Sequence, residues 1–267
     1  MTGSGDGGGV ATSVLDRVLA DLAAEGADLD ARVAALDEAG WATPTPAQGW
    51  DIKRQVAHLA WTDDVSLASS TDPVAFTRVL QEAAQDPTGA VDAAALARSG
   101  TPSATLLASW RDGRTALLQA LAAVPSGARL PWFGPPMSAA SMTTARIMET
   151  WAHGQDVADA LGQVREPTAR LQHVARLGAR THGYAHLVNG LDPPAAPVRV
   201  VLTAPDGSTW CFGAGEQTIT GPALDWCLLV TQRRPRRSLD LRADGPVAEQ
   251  WLGIAQAFAG APGVGRS

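Results

Sequence analysis

Apolar residues recur every three or four positions in four long stretches of the sequence, which is the spacing of helices that bury one face. The stretches cover residues 12–36, 51–69, 103–124 and 138–161. Asp51 and Gly162 are residue types that begin and end helices, and they flank the second and the fourth stretch. Four long helices joined by irregular connections predict an antiparallel bundle.

The pattern changes at a proline-rich linker, residues 192–197, which follows a fifth predicted helix at 168–188. After the linker, alternating apolar residues and a Pro-Asp-Gly turn predict short strands, with two short helices among them. The strands cover 198–203, 209–212, 217–220 and 238–242. The fold class is therefore α+β. We expect a flexible tail at 1–10, the helical bundle at 11–165, a bridging helix and linker at 166–196, and a small α+β domain at 197–262.

The charge and the lack of long apolar runs restrict the partners of this chain. Its formal net charge is −6, whereas binding to nucleic-acid phosphates needs a positive surface. No apolar stretch reaches the ~20 residues of a membrane span, and the glycine-rich start lacks the basic and apolar regions of a signal peptide. We therefore expect a soluble cytoplasmic protein, a monomer or homodimer, that binds a small molecule rather than nucleic acid or a membrane.

Several kinds of chemistry are disfavoured by the motifs that are missing. No Cys-x-x-Cys, phosphate-loop, dinucleotide-binding or nucleophile-elbow motif occurs, so dithiol, nucleotide, nicotinamide and serine-hydrolase chemistry are not expected. Cys211 and Cys227 each have apolar or aromatic neighbours, which favours two buried free thiols over a disulfide.

A carboxylate and an imidazole lie one helical turn apart in the fourth predicted helix. Glu149, His153 and Asp156 stand at positions i, i+4 and i+7, so they project from one face, with Trp151 nearly opposite. Glu149 and His153 form a pair of ligands suited to a transition metal. This spacing alone is a weak signal, because it occurs by chance in many helices.

A third ligand is expected from a neighbouring helix, and His58 is the best candidate because it lies among core-like residues of the second helix. Two histidines and one carboxylate leave coordination positions open, which is the pattern of catalytic metal sites. The alternative for His58 is a hydrogen-bonded core histidine. Asp156 is expected to accept a hydrogen bond from a ligand imidazole rather than to bind the metal. A second pair, His182 and His186, has the same spacing but no carboxylate beside it.

Two strings around these residues, GWDIKRQVAHLAWTD and ETWAHGQDVADALG, resemble the N-terminal domain of mycothiol-dependent maleylpyruvate isomerases. That domain is a branch of the DinB-like four-helix metal proteins, and the strings are especially similar to an actinobacterial metal-binding subgroup. Further along, TGPALDWCLLVTQRR and WLGIAQAFAG are similar to the small sterol-carrier-like α/β domain that follows the bundle in such proteins. The resemblance covers nearly the whole chain after the tail.

The resemblance implies a divalent metal, Zn²⁺ by default, held by His58, Glu149 and His153, with mycothiol as a candidate cosubstrate. It also implies an arginine from the C-terminal domain that reaches the active site. Arg233 is the best match and Arg234 the next. A guanidinium there would bind a substrate carboxylate through its planar fork, and a solvated basic loop is the alternative.

The resulting hypothesis is a metal-dependent enzyme that activates a mycothiol-like thiol. The thiolate would isomerise a small electrophilic or anionic substrate or be transferred to it. Arg233 and Asp156 are the candidate catalytic residues. Trp61, one turn after His58, would form an apolar wall for the thiol, and core packing is the alternative for Trp61. Arg234 is the second candidate for binding the thiol.

Two other functions stay open from the sequence. One is a non-catalytic protein that binds a small ligand through the metal. The other is a metal-dependent hydrolase in which Asp156 acts as the base.

Overall fold

The computed structural model describes residues 13–86, 89–263 and 265–266. The tail predicted at 1–10 lies outside these residues. Helices dominate the chain up to Val188 and a small sheet follows, so the predicted α+β class is confirmed. No helix in the part that is described is both long and apolar enough to cross a membrane.

The helices before the sheet are α1 (Val14–Val33), α2 (Glu38–Trp41), α3 (Ile52–Thr71), α4 (Pro73–Gln85), α5 (Ala90–Ser99), α6 (Ser103–Ala123), α7 (Ala139–Ala160), α8 (Leu171–Arg180) and α9 (His182–Val188). The C-terminal part contains β1 (Val198–Thr203), β2 (Thr209–Phe212), β3 (Gln217–Pro222), α10 (Ala223–Val230), a short 3-10 helix (Arg236–Ser238), β4 (Arg242–Asp244) and α11 (Pro246–Ile254). The long predicted helices thus correspond to α1, α3, α6 and α7.

Short polar residues fix where two of these helices begin. The Ser13 hydroxyl accepts from the Asp16 amide at 3.0 Å and the Asp16 carboxylate accepts from the Ser13 amide at 3.0 Å, which forms a capping box at α1. Asp51 caps α3 as predicted, because its Oδ1 accepts from the Arg54 amide at 2.7 Å. This cap sets the register in which His58 follows on α3.

The four long helices pack on one another. Helix α3 contacts α6 and α7, and α1 contacts the same two helices. Large apolar side chains fill the space between them, among them Leu29, Ile52, Leu59, Leu106, Trp110 and Leu121. Helices α3 and α7 therefore lie side by side, so polar residues on their facing sides can meet.

Helix α7 also packs against the C-terminal part of the chain. Met148, Trp151 and Ala152 belong to the same hydrophobic cluster as residues of the sheet, α8, α10 and α11. Trp151 lies two positions after Glu149, and a helix turns such residues to nearly opposite sides. Helix α7 thus carries two of the three candidate metal ligands and also packs into the core of the C-terminal part.

The sheet has the strand order β2-β1-β3-β4. Strand β1 pairs with β2 in an antiparallel hairpin and with β3 in parallel, and β4 pairs antiparallel with β3. The hairpin turn contains Gly207 at φ 83°, a backbone conformation that favours glycine. Apolar residues of β1 and β3 face α10 and α11, which bury this side of the sheet.

Two predicted elements differ from the observed ones. The helix predicted at 168–188 is interrupted at Thr181, whose hydroxyl donates to the Gly178 carbonyl at 2.8 Å and separates α8 from α9. The strand predicted at 238–242 is wrong, because β4 begins only at Arg242. The Ser238 hydroxyl donates to the Pro235 carbonyl at 2.9 Å, and such local bonds favour a turn over an extended strand.

Both cysteines are free, as the sequence predicted. Cys227 is buried, but Cys211 is exposed, so the prediction that both are buried is wrong for Cys211. Side chains alternate along a strand, and in β2 the better-buried residues are Trp210 and Phe212, which turns Cys211 outward.

Candidate metal centre

Side chains from α3 and α7 meet at one point between these helices. Nε2 of His58 lies 3.3 Å from Oε2 of Glu149, and Nε2 of His153 lies 3.4 Å from the same oxygen. The three ligand-type atoms lie within 4.8 Å of one another. The structure therefore brings together the three residues that the sequence predicted as metal ligands.

The separations fit a single transition-metal ion. Two atoms that each lie about 2.0–2.1 Å from a tetrahedral ion are roughly 3.4 Å apart, close to both observed nitrogen–oxygen distances. Imidazole nitrogen and carboxylate oxygen are also ligand types that Zn²⁺ and other first-row ions bind. The side chains of His58, His153 and Glu149 are 9%, 12% and 23% exposed, so the group is enclosed but reachable from solvent. These residues fit a divalent ion with open coordination positions.

Burial and mutual contact set the charges in this group. Burial lowers the pKa of His153 to about 4, and the charge of His58 acts in the same direction, while Glu149 opposes them. Burial by itself would raise the pKa of Glu149. Hydrogen bonds and charge from the two histidines outweigh it and hold the pKa of that carboxyl well below its usual value. At neutral pH the carboxylate is anionic and His153 is neutral, which are the forms that bind a metal.

Trp50 covers both histidines, and the sequence interpretation did not include it. Its ring centroid lies 5.5 Å from that of His58, edge-on, and 5.9 Å from that of His153, stacked. Arg54 lies on α3, and its guanidinium lies 5.1 Å from the Trp50 ring centroid, in cation–π contact. The one feature of the sequence that could have indicated this role is that Trp50 directly precedes the helix cap Asp51.

Gln55 is a second residue that the sequence interpretation missed. Its Oε1 contacts Nδ1 of His153, and its Nε2 lies 2.8 Å from Oγ1 of Thr45. Gln55 is 0% exposed, and contacts of this kind orient a ligand imidazole. The signal was a polar side chain three residues before His58, on the same face of a helix that is otherwise apolar there.

Trp61 lies beside His58, as its position one turn later predicted, with ring centroids 6.4 Å apart. Arg234, the other residue predicted to bind the thiol, forms an ion pair with Asp159 instead of contacting the histidines. Its two Nη atoms donate to the two carboxylate oxygens of Asp159 at 2.7 and 2.8 Å. Arg234 thereby ties the segment after α10 to the last turn of α7.

Arg233 reaches α7 from the C-terminal part of the chain. Its Nη2 donates to Oδ2 of Asp156 at 2.9 Å, and its Nε donates to the Ala152 carbonyl at 3.0 Å. Arg266 donates to the other carboxylate oxygen of Asp156. Asp156 is fully buried, which would raise its pKa, but the charges of the two arginines hold the pKa below its usual value.

Asp156 does not have the partner that the sequence predicted. A hydrogen bond from a ligand imidazole to Asp156 was expected, whereas Nδ1 of His153 faces Gln55 and Asp156 pairs with arginines. Because Asp156 lies three residues after His153, it is close along the helix but its carboxylate is directed to the C-terminal part.

The backbone before Arg233 turns the chain toward α7. Gln232 has φ 57°, in the left-handed region that residues other than glycine seldom adopt. The amides of Gln232 and Arg233 donate to the carbonyls of Leu229 and Leu228 at 2.9 and 2.8 Å, which ends α10 in a Schellman turn. The left-handed residue thus directly precedes the arginine that reaches the site.

The alternative pair, His182 and His186, lies elsewhere on α9. Their ring centroids are 5.0 Å apart, and His182 packs on Trp251 of α11 at 4.3 Å. Within the described residues, His58, Glu149 and His153 form the only group of three or more metal-ligating side chains. The second pair therefore lacks the third ligand that the first pair has.

A cavity of about 570 Å³ lies away from the histidines, at the carboxyl ends of β1 and β3. Its lining includes Thr203, Thr220, Asp225 and Arg242 but neither histidine nor cysteine. This lining offers no thiolate or imidazole ligand for a transition metal. The candidate metal site is therefore the group of His58, Glu149 and His153 between α3 and α7.

Comparison with known proteins shows that this chain is similar to others over much more than the three candidate ligands. The profile described as the mycothiol maleylpyruvate isomerase N-terminal domain matches residues 22–158, which include all three candidate ligands. Two Mycobacterium tuberculosis proteins, from strains CDC 1551 and H37Rv and both described as uncharacterised, are each 54% identical over 250 residues. These alignments cover 93% of this chain and 97% of each relative.

The fold is shared with solved structures. The crystal structure of a mycothiol-dependent maleylpyruvate isomerase aligns with a TM-score of 0.59 and 14% sequence identity, over 88% of this chain and 96% of that one. A histidine-to-alanine mutant of a mycothiol-dependent maleylpyruvate isomerase gives the same values. At this identity the likeness establishes the fold and not the activity.

Proposed function

Because this chain belongs to the mycothiol maleylpyruvate isomerase family, we propose that it is a metal-dependent enzyme that activates a low-molecular-weight thiol for attack on a small electrophile. Mycothiol is the thiol that the family suggests. The observation that carries the proposal is the convergence of two imidazole nitrogens on one carboxylate oxygen, at 3.3 and 3.4 Å. All three residues lie in the segment that the family profile matches.

In this proposal His58, Glu149 and His153 hold one divalent ion, and Zn²⁺ is the ion that these ligand types suit by default. With three protein ligands, such an ion would still be able to bind an exogenous molecule. Glu149 supplies one negative charge, so the ion and its ligands together keep a positive charge that favours an anion. When bound, such an ion lowers the pKa of a thiol, so that a thiolate is available near neutral pH.

The thiolate adds to an electron-poor alkene of the substrate. Its sulfur electron pair forms the new carbon–sulfur bond, and the alkene electrons move onto the adjacent carbonyl. Rotation about the former double bond and loss of the thiolate then give the other geometric isomer. With a substrate that carries a leaving group, the same attack expels that group with its electron pair and leaves an S-conjugate.

The charges around Asp156 favour an anionic substrate. Arg233 and Arg266 carry two positive charges against the single negative charge of Asp156, so this group keeps one positive charge. Arg233 also donates to the Ala152 carbonyl, directly before the ligand His153. We assign Arg233 the role of electrostatic anchor for a substrate carboxylate and Asp156 the role of holding that arginine in place.

The same contacts make Asp156 a poor base for hydrolysis. Both of its carboxylate oxygens accept hydrogen bonds from arginines, and its pKa lies below its usual value. A metal-dependent hydrolase needs a basic carboxylate near the ion to accept a proton from water. Thiol activation has no such requirement, and this difference favours it.

The test uses the full chain loaded with Zn²⁺ and, separately, with Co²⁺, beside a Glu149→Gln variant. Elemental analysis measures the bound metal, the visible spectrum of the cobalt form is followed during titration with mycothiol, and isomerisation of a maleyl-type diacid is assayed. We expect metal in the wild type, a thiol-dependent spectral change, and turnover that requires both metal and thiol. The variant should lose all three.

The matched control is His173→Gln, because His173 pairs with Asp21 at 2.7 Å, outside the proposed centre. This variant should bind metal and turn over substrate as the wild type does. Wild-type protein without metal would overturn the metal centre. Bound metal with neither a thiol-dependent spectral change nor turnover would overturn the thiol chemistry and leave a ligand-binding protein.

A further inference from the structure

A chain of polar contacts leads from the backbone of Trp50 to the ring of His153. The Thr45 hydroxyl lies 2.8 Å from the Trp50 carbonyl, and the same hydroxyl lies 2.8 Å from the side-chain amide of Gln55. The other end of that amide contacts Nδ1 of His153. The contacts connect the segment before α3 with a candidate ligand on α7.

Counting protons fixes the direction of every bond in this chain. A hydroxyl has one proton, and a carbonyl can only accept, so the Thr45 hydroxyl donates to Trp50. Thr45 must then accept from Gln55, and the atom of Gln55 that faces it is the amide nitrogen. Gln55 consequently turns its carbonyl oxygen toward His153, which has to donate from Nδ1.

The consequence is that Nε2 of neutral His153 keeps its lone pair, directed at the oxygen of Glu149 3.4 Å away. The opposite arrangement has a physical cost. If the Gln55 amide were reversed, the Thr45 hydroxyl would donate to Gln55, and two oxygens would face each other at 2.8 Å without a proton between them. His153 would then carry its proton on Nε2 and donate it to Glu149, which blocks metal binding.

We propose that Thr45 and Gln55 are positioning residues that select the His153 tautomer with a free Nε2 and so prepare the site for a metal ion. Thr45 acts through Gln55 and touches no ligand itself. His58 has no equivalent support, since its Nδ1 has no hydrogen-bond partner among the described residues. The inference rests on the proposed metal centre for its purpose, but the tautomer exists in the metal-free protein and is measured there.

The first measurement is the tautomer of His153 in metal-free wild-type protein at neutral pH. Nitrogen-15 chemical shifts of the ring distinguish a protonated nitrogen from one with a free lone pair, and a His153→Ala variant assigns the signals. We expect the proton on Nδ1. A proton on Nε2 would overturn the proposal, whether or not the protein binds a metal.

The second measurement is the Zn²⁺ dissociation constant, by competition with a chelator, for Thr45→Val and the matched control Thr45→Ser. Valine has the shape of threonine but no hydroxyl, so the Gln55 amide can reverse. We expect Thr45→Val to weaken binding about 10–100-fold, the range for changes outside the ligand set. Thr45→Ser keeps the hydroxyl and should keep the wild-type affinity.

The Gln55→Glu variant tests whether Thr45 acts on His153 through Gln55 or whether Thr45→Val weakens Zn²⁺ binding through a general loss of structure. A carboxylate offers an acceptor to His153 in either orientation, so it no longer needs Thr45 to orient it. Thr45→Val should therefore have little effect on affinity in the Gln55→Glu background, as a double-mutant cycle measures. An equal effect of Thr45→Val in both backgrounds would overturn the proposal that Thr45 acts through Gln55. Failure of wild type to bind Zn²⁺ would refute the proposed function instead.

Discussion

The imidazole rings of His58 and His153 lie with centroids 4.5 Å apart, although one belongs to α3 and the other to α7. Both rings direct Nε2 at one oxygen of Glu149. Imidazole nitrogen and carboxylate oxygen are ligand types that first-row cations bind, and a cation here would balance the negative charge of Glu149. The proposed metal binding depends on this arrangement, and the predictions below test it.

Replacement of His58 by alanine should remove the ligand from α3 and leave the Glu149–His153 pair on α7. Mutation of a residue outside the ligand set lowers metal affinity by up to about 100-fold. Loss of the His58 ligand should lower Zn²⁺ affinity by more than that. Free imidazole should restore part of the affinity, because it can occupy the space of the missing ring. Chelator competition with and without imidazole measures both effects. An unchanged affinity would remove His58 from the ligand set.

The metal-free protein should lose stability as pH falls from about 6.5 toward 4. The pKa of His153 is lowered from 6.5 to about 4 by burial and by the charge of His58. Across this range the unfolded chain binds a proton that the folded chain does not, so the free energy of unfolding decreases as pH falls. The full effect of His153 is roughly 3 kcal/mol, reached below the folded pKa.

Urea denaturation at several pH values tests this prediction on the metal-free chain. His153→Gln removes the titrating group and should flatten the slope between about pH 6.5 and 4. The Gly253→Ala variant changes no titratable group and should keep the wild-type slope, because a Cβ at this position of α11 meets nothing within 4 Å. The same slope in all three proteins would show that His153 is not the group responsible.

Helical spacing predicts that Glu149 and His153 share a face, and the resemblance to a known family selected His58 as the third candidate ligand. Glu149 and His153 are one turn apart on α7, and the Asp51 cap sets the register of His58 on α3. Trp50 and Thr45 could not be predicted in the same way. Their contacts depend on how the irregular segment before α3 folds back, and no repeating pattern encodes that path.

The environment of Asp156 shows the same limit at the level of tertiary contacts. Its position on the ligand face of α7 suggested a hydrogen bond to an imidazole. The observed partners, Arg233 and Arg266, come from segments that follow α10 and α11. Local spacing predicts where a side chain projects from its helix, whereas its partner depends on which distant segment packs there.

Gly178 should be required for the packing of α8 on α10. A Cβ atom at this position would lie 2.8–3.0 Å from the side-chain carbons of Val230. Gly178→Ala should therefore destabilise the protein by about 1–3 kcal/mol, the usual range for overpacking. The same change should cost less in a Val230→Ala background, because the clash is then removed. Chemical denaturation of the single and double variants measures the difference.

Gly253→Ala is the control for this packing prediction. Gly253 lies in α11, and nothing comes within 4 Å of a Cβ built there. Alanine should therefore be neutral or stabilise by up to about 1 kcal/mol, since it favours helix more than glycine does. If both glycine variants changed stability equally, close contact with Val230 would not be the cause.

Removal of the Arg233 guanidinium should destabilise the folded protein by leaving the buried Asp156 carboxylate with a single arginine partner. Breaking a buried ion pair costs about 3–5 kcal/mol, and Arg266 should keep the loss in Arg233→Met near the lower end. Asp156→Asn in the same chain should recover part of the loss, because no buried negative charge is then left unpaired. Urea denaturation of the two single variants and the double variant measures the coupling. Additive losses would mean that Arg233 and Asp156 do not depend on each other, and the assignment of Asp156 as the residue that holds Arg233 would fail.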